Sequence, residues 1–94
     1  MAIKKTPEWL KEGEGFVDLT LSRPLDVAGS KVSSVRMREP TVLDQKVSMK
    51  TDGDNTEKEL VLFANLCGLV PEDLDAMPMR DYSRLQTAYM LFIS

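Results

Sequence analysis

The sequence contains no histidine, and this absence excludes several kinds of active site. Without an imidazole side chain there is no Ser-His-Asp arrangement, no histidine general base near neutral pH and no histidine metal ligand. The single cysteine, Cys67, forms neither an internal disulfide nor a cysteine-rich zinc site. We therefore expect a protein that is not an enzyme, with no cofactor and no small-molecule substrate.

Other absences concern membranes, export and nucleic acids. No apolar run approaches the roughly 18–20 residues of a membrane-spanning helix. The basic pair Lys4-Lys5 is followed by polar residues, not by the apolar stretch of a signal peptide. The net charge is −3, whereas a surface that follows nucleic-acid phosphates needs clustered basic residues. These features predict a cytoplasmic protein that binds neither membranes nor nucleic acids.

The size and composition indicate one small globular domain. The 94 residues are 43% hydrophobic and 29% charged, which is ordinary for a folded soluble chain. Residues 1–15 are expected to form a polar, partly flexible leader, in which Thr6 and Pro7 begin a helix that Gly13 ends. Residues 16–94 are expected to form the domain. On folding, so small a domain buries only about 60–65% of the surface that its unfolded chain exposes. Because apolar area then remains on the outside, we also expect homo-oligomers.

A β-hairpin is predicted at the start of the domain. Val17, Leu19 and Leu21 alternate with polar residues, as in a half-buried strand. Ala28-Gly29 supplies a tight turn, and a return strand is expected from about residue 30 to residue 38.

The pairing of this hairpin is predicted to be irregular. A regular register would place Arg36 opposite the apolar Leu21, whereas one extra residue near Ser33 would pair Leu21 with Met37. We therefore expect a β-bulge near Ser33 or a slip at Pro24.

Three or four short helices are predicted after the hairpin, which gives an α+β fold. The first is expected from Thr41 to about Met49, with a Thr41–Asp44 N-cap signature. The second is expected at Leu60–Cys67, after a Thr56–Glu59 capping box and before Gly68. A short third helix is expected to start at Pro71, and the last to run from about Met79 to Ile93.

Possible chemical sites have simpler structural explanations. The acids of Asp52-Gly53-Asp54 lack the spacing of a calcium loop, so a solvated turn is expected. Carboxylate pairs such as Asp73 and Asp75 lie in first helical turns, where capping accounts for them. Cys67 is expected to pack as a small buried hydrophobic residue. Arginines 36, 38, 80 and 84 are expected to be solvated surface residues.

The last helix and the residues before it carry the predicted partner-binding surface. An apolar stripe there has the 3-4-3 spacing of one helix face, and methionines, of which the chain has six, adapt to varied apolar partners. The predicted surface consists of Met77, Met79, Tyr82, Leu85, Tyr89, Met90, Phe92 and Ile93.

Three motifs support a family resemblance over about residues 16–93. They are the Arg38-Glu-Pro-Thr41 junction, the Gly68-Leu-x-Pro-Glu-x-Leu74 element and the Asp81-Tyr82-x-x-Leu85-Gln86 start of the last helix. In their order and spacing the chain resembles the tail assembly chaperones of Mu-like and P2-like contractile-tail bacteriophages.

The resemblance implies a non-catalytic role in virion assembly. Such proteins bind the helical, apolar tape measure protein, keep it soluble, help to recruit tail tube protein subunits, and are absent from the finished virion. The resemblance also implies a longer product made by frameshifting, of which a 94-residue chain would be the short form. The alternative is a small regulatory or transcription-partner module, which would need a basic recognition face.

Overall fold

A three-stranded antiparallel sheet followed by four helices makes up the computed structural model, which describes residues 6–94. The strands are β1 (Leu10–Gly13), β2 (Phe16–Val27) and β3 (Ser30–Arg38), and the helices are α1 (Val42–Met49), α2 (Asn55–Cys67), α3 (Pro71–Asp75) and α4 (Met79–Ile93). The predicted α+β fold is confirmed, with β2 and β3 forming the predicted hairpin.

The first strand differs from the sequence-based prediction. Instead of a helix starting at Thr6 and Pro7, Leu10–Gly13 pair with β2, and Leu10 is buried. The helix prediction is therefore wrong. Gly15, with a φ of 78°, allows the tight connection from β1 to Phe16. The free edge of β2 supplies a backbone ladder that outweighs the weak local tendency to form a helix. The part of the leader from Met1 to Lys5 lies outside the described residues.

The irregularity of the hairpin lies on β2. Leu25 pairs with Val32 near the turn, whereas Thr20 pairs with Ser34 farther along. Five steps on β2 thus match two steps on β3, which leaves three extra residues on β2. The alternative of a slip near Pro24 is confirmed.

The predicted bulge near Ser33 is wrong, and the true register changes the cross-strand pairs. Met37 lies opposite Val17, not opposite Leu21. Arg36 lies opposite Asp18, with which it forms an ion pair, and Leu19 lies opposite Val35.

The helix ends follow local capping chemistry. The Thr41–Asp44 capping box starts α1 as predicted. The second helix begins earlier than predicted, because the side chain of Asp54, not Thr56, accepts a hydrogen bond from the backbone N–H of Glu57. Gly68 ends α2 with a φ of 68°, a left-handed conformation that favours glycine.

The core lies between one face of the sheet and the helices. Helix α2 packs on β3, and α3 and α4 pack on β2. The largest fully buried apolar side chains are Leu19, Met37, Phe63 and Leu85. The rings of Tyr82 and Tyr89 on α4 pack against Phe63 with centroid distances of 5.7 and 5.4 Å. The aromatic face of α4 is thus fixed against the sheet-facing side of α2.

Candidate interaction surface

A buried carboxylate joins the last helix to the irregular part of β2. Asp81, in the first turn of α4, is 0% exposed. Its Oδ1 accepts a hydrogen bond from the backbone N–H of Ser22 at 2.8 Å, and its Oδ2 accepts one from the Ser22 hydroxyl at 3.0 Å. Ser22 lies among the β2 residues between the two regular registers. Asp81 therefore satisfies a backbone donor at the place where the strand ladder is interrupted.

Arg84 adds a second connection between α4 and the sheet. Its Nη1 donates to the backbone oxygen of Thr20 at 2.7 Å and lies 3.9 Å from the carboxylate of Asp81. The guanidinium also lies over the ring of Trp9, 5.1 Å from its centroid. These contacts set the rotation of α4 about its own axis, so they decide which of its side chains remain exposed.

The eight residues of the predicted partner-binding surface fall into three groups. Met77, Tyr82 and Leu85 are buried, and Tyr89 and Phe92 are half-buried against the core. The remaining three are exposed: Met79 at the start of α4, and Met90 and Ile93 at its end. The apolar stripe that the spacing predicts therefore faces mainly inward.

Tyr82 has a structural partner on α2. Its hydroxyl donates to Oε1 of Glu59 at 2.5 Å, and the same oxygen accepts a hydrogen bond from Nε2 of Gln86. Burial, together with the nearby carboxylate of Glu59, raises the pKa of Tyr82 above its ordinary value. Tyr82 thus holds α2 and α4 together.

The C-terminal end of α4 is apolar and exposed to solvent. Met90 is 58% exposed and Ile93 is 53% exposed, and Leu91 between them is also exposed. Leu91 is not among the predicted surface residues, although its position in the same apolar run as Met90 and Ile93 indicates that it belongs with them. This end of α4 has no covering element among the described residues.

A groove of about 190 Å³ lies near the start of α4. Its mostly apolar wall is formed by Thr56, Leu60, Leu74, Asp75, Met77, Met79 and Tyr82. It brings together three of the predicted residues, Met77, Met79 and Tyr82. The helical spacing puts Met79 and Met90 on nearly the same line of α4, about 16 Å apart.

A second exposed apolar surface, which is not among the predicted ones, lies on α1. Val42, Leu43, Val47 and Met49 are all exposed, whereas the buried residues of this helix are Asp44 and Ser48. The sequence pattern marks α1 as a helix, but it does not say which side faces the body of the protein.

The arginines considered as basic surface patches mostly have acidic or backbone partners. These pairs are Arg36 with Asp18, Arg38 with Asp44, and Arg84 with Asp81 and the Thr20 carbonyl. The positive charges of these three arginines are therefore largely paired within the protein.

Cys67 and the acidic side chains are the groups of the described chain that were considered above for chemistry. Burial raises the pKa of the Cys67 thiol to about 12, so its reactive thiolate form is rare. Within residues 6–94, no group of Asp, Glu or Cys side chains is arranged to hold a metal ion. None of the helices that the structure describes is long and apolar enough to cross a membrane.

A small α+β domain with apolar side chains exposed on two helices is typical of a protein that acts by binding other proteins. Comparison with protein families agrees: residues 18–94 match a family model described as "phage tail assembly chaperone proteins, E, or 41 or 14". The chain belongs to this family of phage tail assembly chaperones. Searches of curated proteins and of solved structures gave no significant match.

Proposed function

We propose that this protein acts without catalysis by binding the tape measure protein of a phage tail, keeping it soluble while the tail tube assembles. Family membership supports a role in tail assembly. The observation that carries the specific proposal is the exposed apolar end of α4, where Met90, Leu91 and Ile93 face solvent. A chaperone for an apolar helical client needs such a surface.

The groove beside Met79 extends this surface toward the other end of α4. Met79 and Met90 lie on nearly the same line of the helix, and unbranched thioether side chains adapt to apolar partners of different shapes. A client helix running along this line would contact the exposed end of α4 and then the groove. We therefore assign client binding to Met79, Met90 and Ile93, with Met77 and Tyr82 forming the groove wall.

The remaining parts of the proposal concern assembly. The complex recruits tail tube protein subunits in the bacterial cytoplasm, and the chaperone is absent from the finished virion. Homo-oligomerisation would cover apolar surface when no client is bound, since exposed apolar patches favour association.

Co-expression with the tape measure protein tests the proposal. The wild-type protein is expected to keep the tape measure protein in the soluble fraction, and the double variant Met90→Asp with Ile93→Asp is expected to lose this ability. Both positions are exposed, so the variant should remain folded. Aspartate at Tyr89 or Phe92 is unsuitable, because these side chains pack against the core.

The matched control adds two negative charges elsewhere. Ser33→Asp with Asn65→Asp changes exposed residues on β3 and α2 and is expected to keep the tape measure protein soluble. If wild-type protein has no effect on its solubility, the proposed function is wrong. If the α4 variant stays folded and works as well as wild type, the function stands but the assigned surface is wrong.

A further inference from the structure

Helix α1 is attached to the rest of the protein through polar side chains. Asp44 accepts two hydrogen bonds of 2.7 Å from the guanidinium of Arg38 and others from the backbone N–H and hydroxyl of Thr41. One turn later, the hydroxyl of Ser48 donates to the backbone oxygen of Lys58 at 2.8 Å. These two residues are the buried ones of the helix. The inward face of α1 is therefore polar.

The outward face of α1 is apolar. The exposed fractions are 76% for Val42, 67% for Leu43, 43% for Val47 and 63% for Met49. At about 100° per residue these four side chains fall within one arc of about 160°. A helix that only packs on its own domain has the opposite arrangement, with its apolar side inward. The reversed polarity of α1 thus points to an outside partner.

Two lysines lie within the same arc. Lys46 and Lys50 are exposed, and the helical spacing puts them between Val42 and Leu43 in direction. Neither forms an ion pair with another residue of the described chain. The methylene groups of lysine pack along apolar surface while the ammonium group stays at the rim. The face therefore combines apolar contact area with unpaired positive charge.

Charge and size distinguish between possible occupants. Two copies paired through α1 about a two-fold axis would bring lysines of one copy toward those of the other, which is unfavourable. An eight-residue helix is only about 12 Å long, which matches contact with one short partner helix but falls short of the roughly 800 Å² per partner that a stable dimer of this chain would need. An anionic membrane is an extended surface that faces much of a chain whose net charge is −3, whereas a single helix meets only the local charge of α1. An amphipathic helix with acidic flanks matches both the apolar side chains and the lysines.

We propose that the outer face of α1 binds an amphipathic helix of a partner protein, one whose apolar stripe is flanked by aspartate or glutamate. Leu43 and Val47 lie in the contact, and Lys46 and Lys50 pair with the carboxylates. This surface is separate from the exposed end of α4 and does not depend on the proposed role of that end.

A pair of synthetic peptides tests this surface. The probe is a 15-residue helical peptide with leucines at i, i+3, i+4 and i+7 spacing flanked by glutamates, and its control has lysines in place of the glutamates. In titrations of the isotopically labelled full chain, the acidic peptide is expected to shift the NMR signals of residues 42–50. It should bind at least about tenfold more tightly than the basic peptide, and this difference should shrink as salt is added.

Variants of α1 connect the binding to named residues. Leu43→Asp is expected to abolish peptide binding without loss of stability, since Leu43 is exposed and aspartate is favourable in a first helical turn. Lys46→Glu with Lys50→Glu is expected to reverse the preference between the two peptides. Gln45→Ala, an exposed change outside the arc, is the control and should bind like wild type.

Several outcomes would overturn the proposal. Equal affinity for both peptides would remove the role of the lysines, and NMR shifts confined to other elements would place the binding elsewhere. Self-association that Leu43→Asp abolishes would assign the face to a second copy. Sedimentation with phosphatidylglycerol vesicles that the same variant abolishes would assign it to a membrane. None of these results bears on the α4 co-expression test.

Discussion

Asp81 and Ser22 are 59 positions apart in the sequence, yet the carboxylate of Asp81 accepts hydrogen bonds from both the backbone N–H and the hydroxyl of Ser22. The irregularity in β2 and the start of α4 are therefore parts of one arrangement. The three extra residues of β2 interrupt the strand ladder, and a side chain from α4 satisfies the Ser22 donor within this stretch.

Replacement of this carboxylate should be costly. Asp81→Ala leaves the Ser22 donors without their acceptor and removes the carboxylate beside Arg84. We therefore expect the free energy of unfolding to fall by about 2–4 kcal/mol. Ser22→Ala removes only the hydroxyl bond and should cost about 0.5–1.5 kcal/mol. Urea unfolding followed by circular dichroism measures both. Equal losses in the two variants would show that the backbone hydrogen bond contributes nothing.

Acid should weaken the attachment of α1. The hydrogen bonds from Arg38, opposed by burial but reinforced by Thr41, hold the pKa of Asp44 well below its usual range. A carboxylate whose pKa is lower in the folded state than in the unfolded state stabilises the fold. This stabilisation is fully present above the unfolded-state pKa of about 4, and it is lost as the pH falls toward and through the folded-state pKa.

The matched comparison for this effect is Asp44→Asn. Wild type should be more stable than the variant at about pH 6, and the difference in free energy of unfolding should shrink toward about pH 2. A difference that stays constant across this range would contradict the role of the Asp44 charge.

The single tryptophan reports whether β1 unfolds with the rest of the domain. The backbone oxygen of Trp9 accepts a hydrogen bond from the N–H of Thr20, and its ring lies under Arg84. We expect tryptophan fluorescence and circular dichroism to change at the same urea concentration, as in a two-state transition. A fluorescence change at clearly lower urea would mean that β1 detaches separately. Lys31→Ala, near the hairpin turn, removes only a solvent-exposed ion pair with Asp26 and should move both transitions little and by the same amount.

The thiol of Cys67 should react slowly in the folded protein. Because burial raises its pKa to about 12, only a very small fraction is thiolate at about pH 8. We expect a disulfide reagent such as DTNB to react on the order of a hundredfold more slowly with the native protein than with the urea-unfolded protein. Comparable rates in the two states would contradict the raised pKa of this half-buried side chain.

Local signals in the sequence account for most of the fold. The alternation in β2, the turn at Gly29 and the caps at Thr41 and Gly68 depend on neighbouring residues, and all four appear in the structure. The strand β1 has no such local signal, because its four residues contain only one apolar side chain. Its formation depends on pairing with β2, which is a tertiary contact.

The same distinction explains the candidate surface. Helical spacing correctly groups Tyr82, Leu85 and Tyr89 on one face, but spacing alone does not say whether that face meets the core or a partner. The answer depends on contacts such as Asp81 with Ser22, which fix the rotation of α4. The outward apolar face of α1 was missed for a related reason: its orientation is set by Arg38.

The polar attachment of α1 also affects how easily this helix can move. Most of its apolar surface is already in water, so lifting it from the body would uncover little additional apolar surface. The main cost would be the ion pair of Asp44 and the hydrogen bond of Ser48. Local opening is cheapest where few apolar contacts are broken. The backbone amides of α1 should therefore exchange with deuterium sooner than those of α2, and the helix could adjust its angle to a partner while the core stays closed.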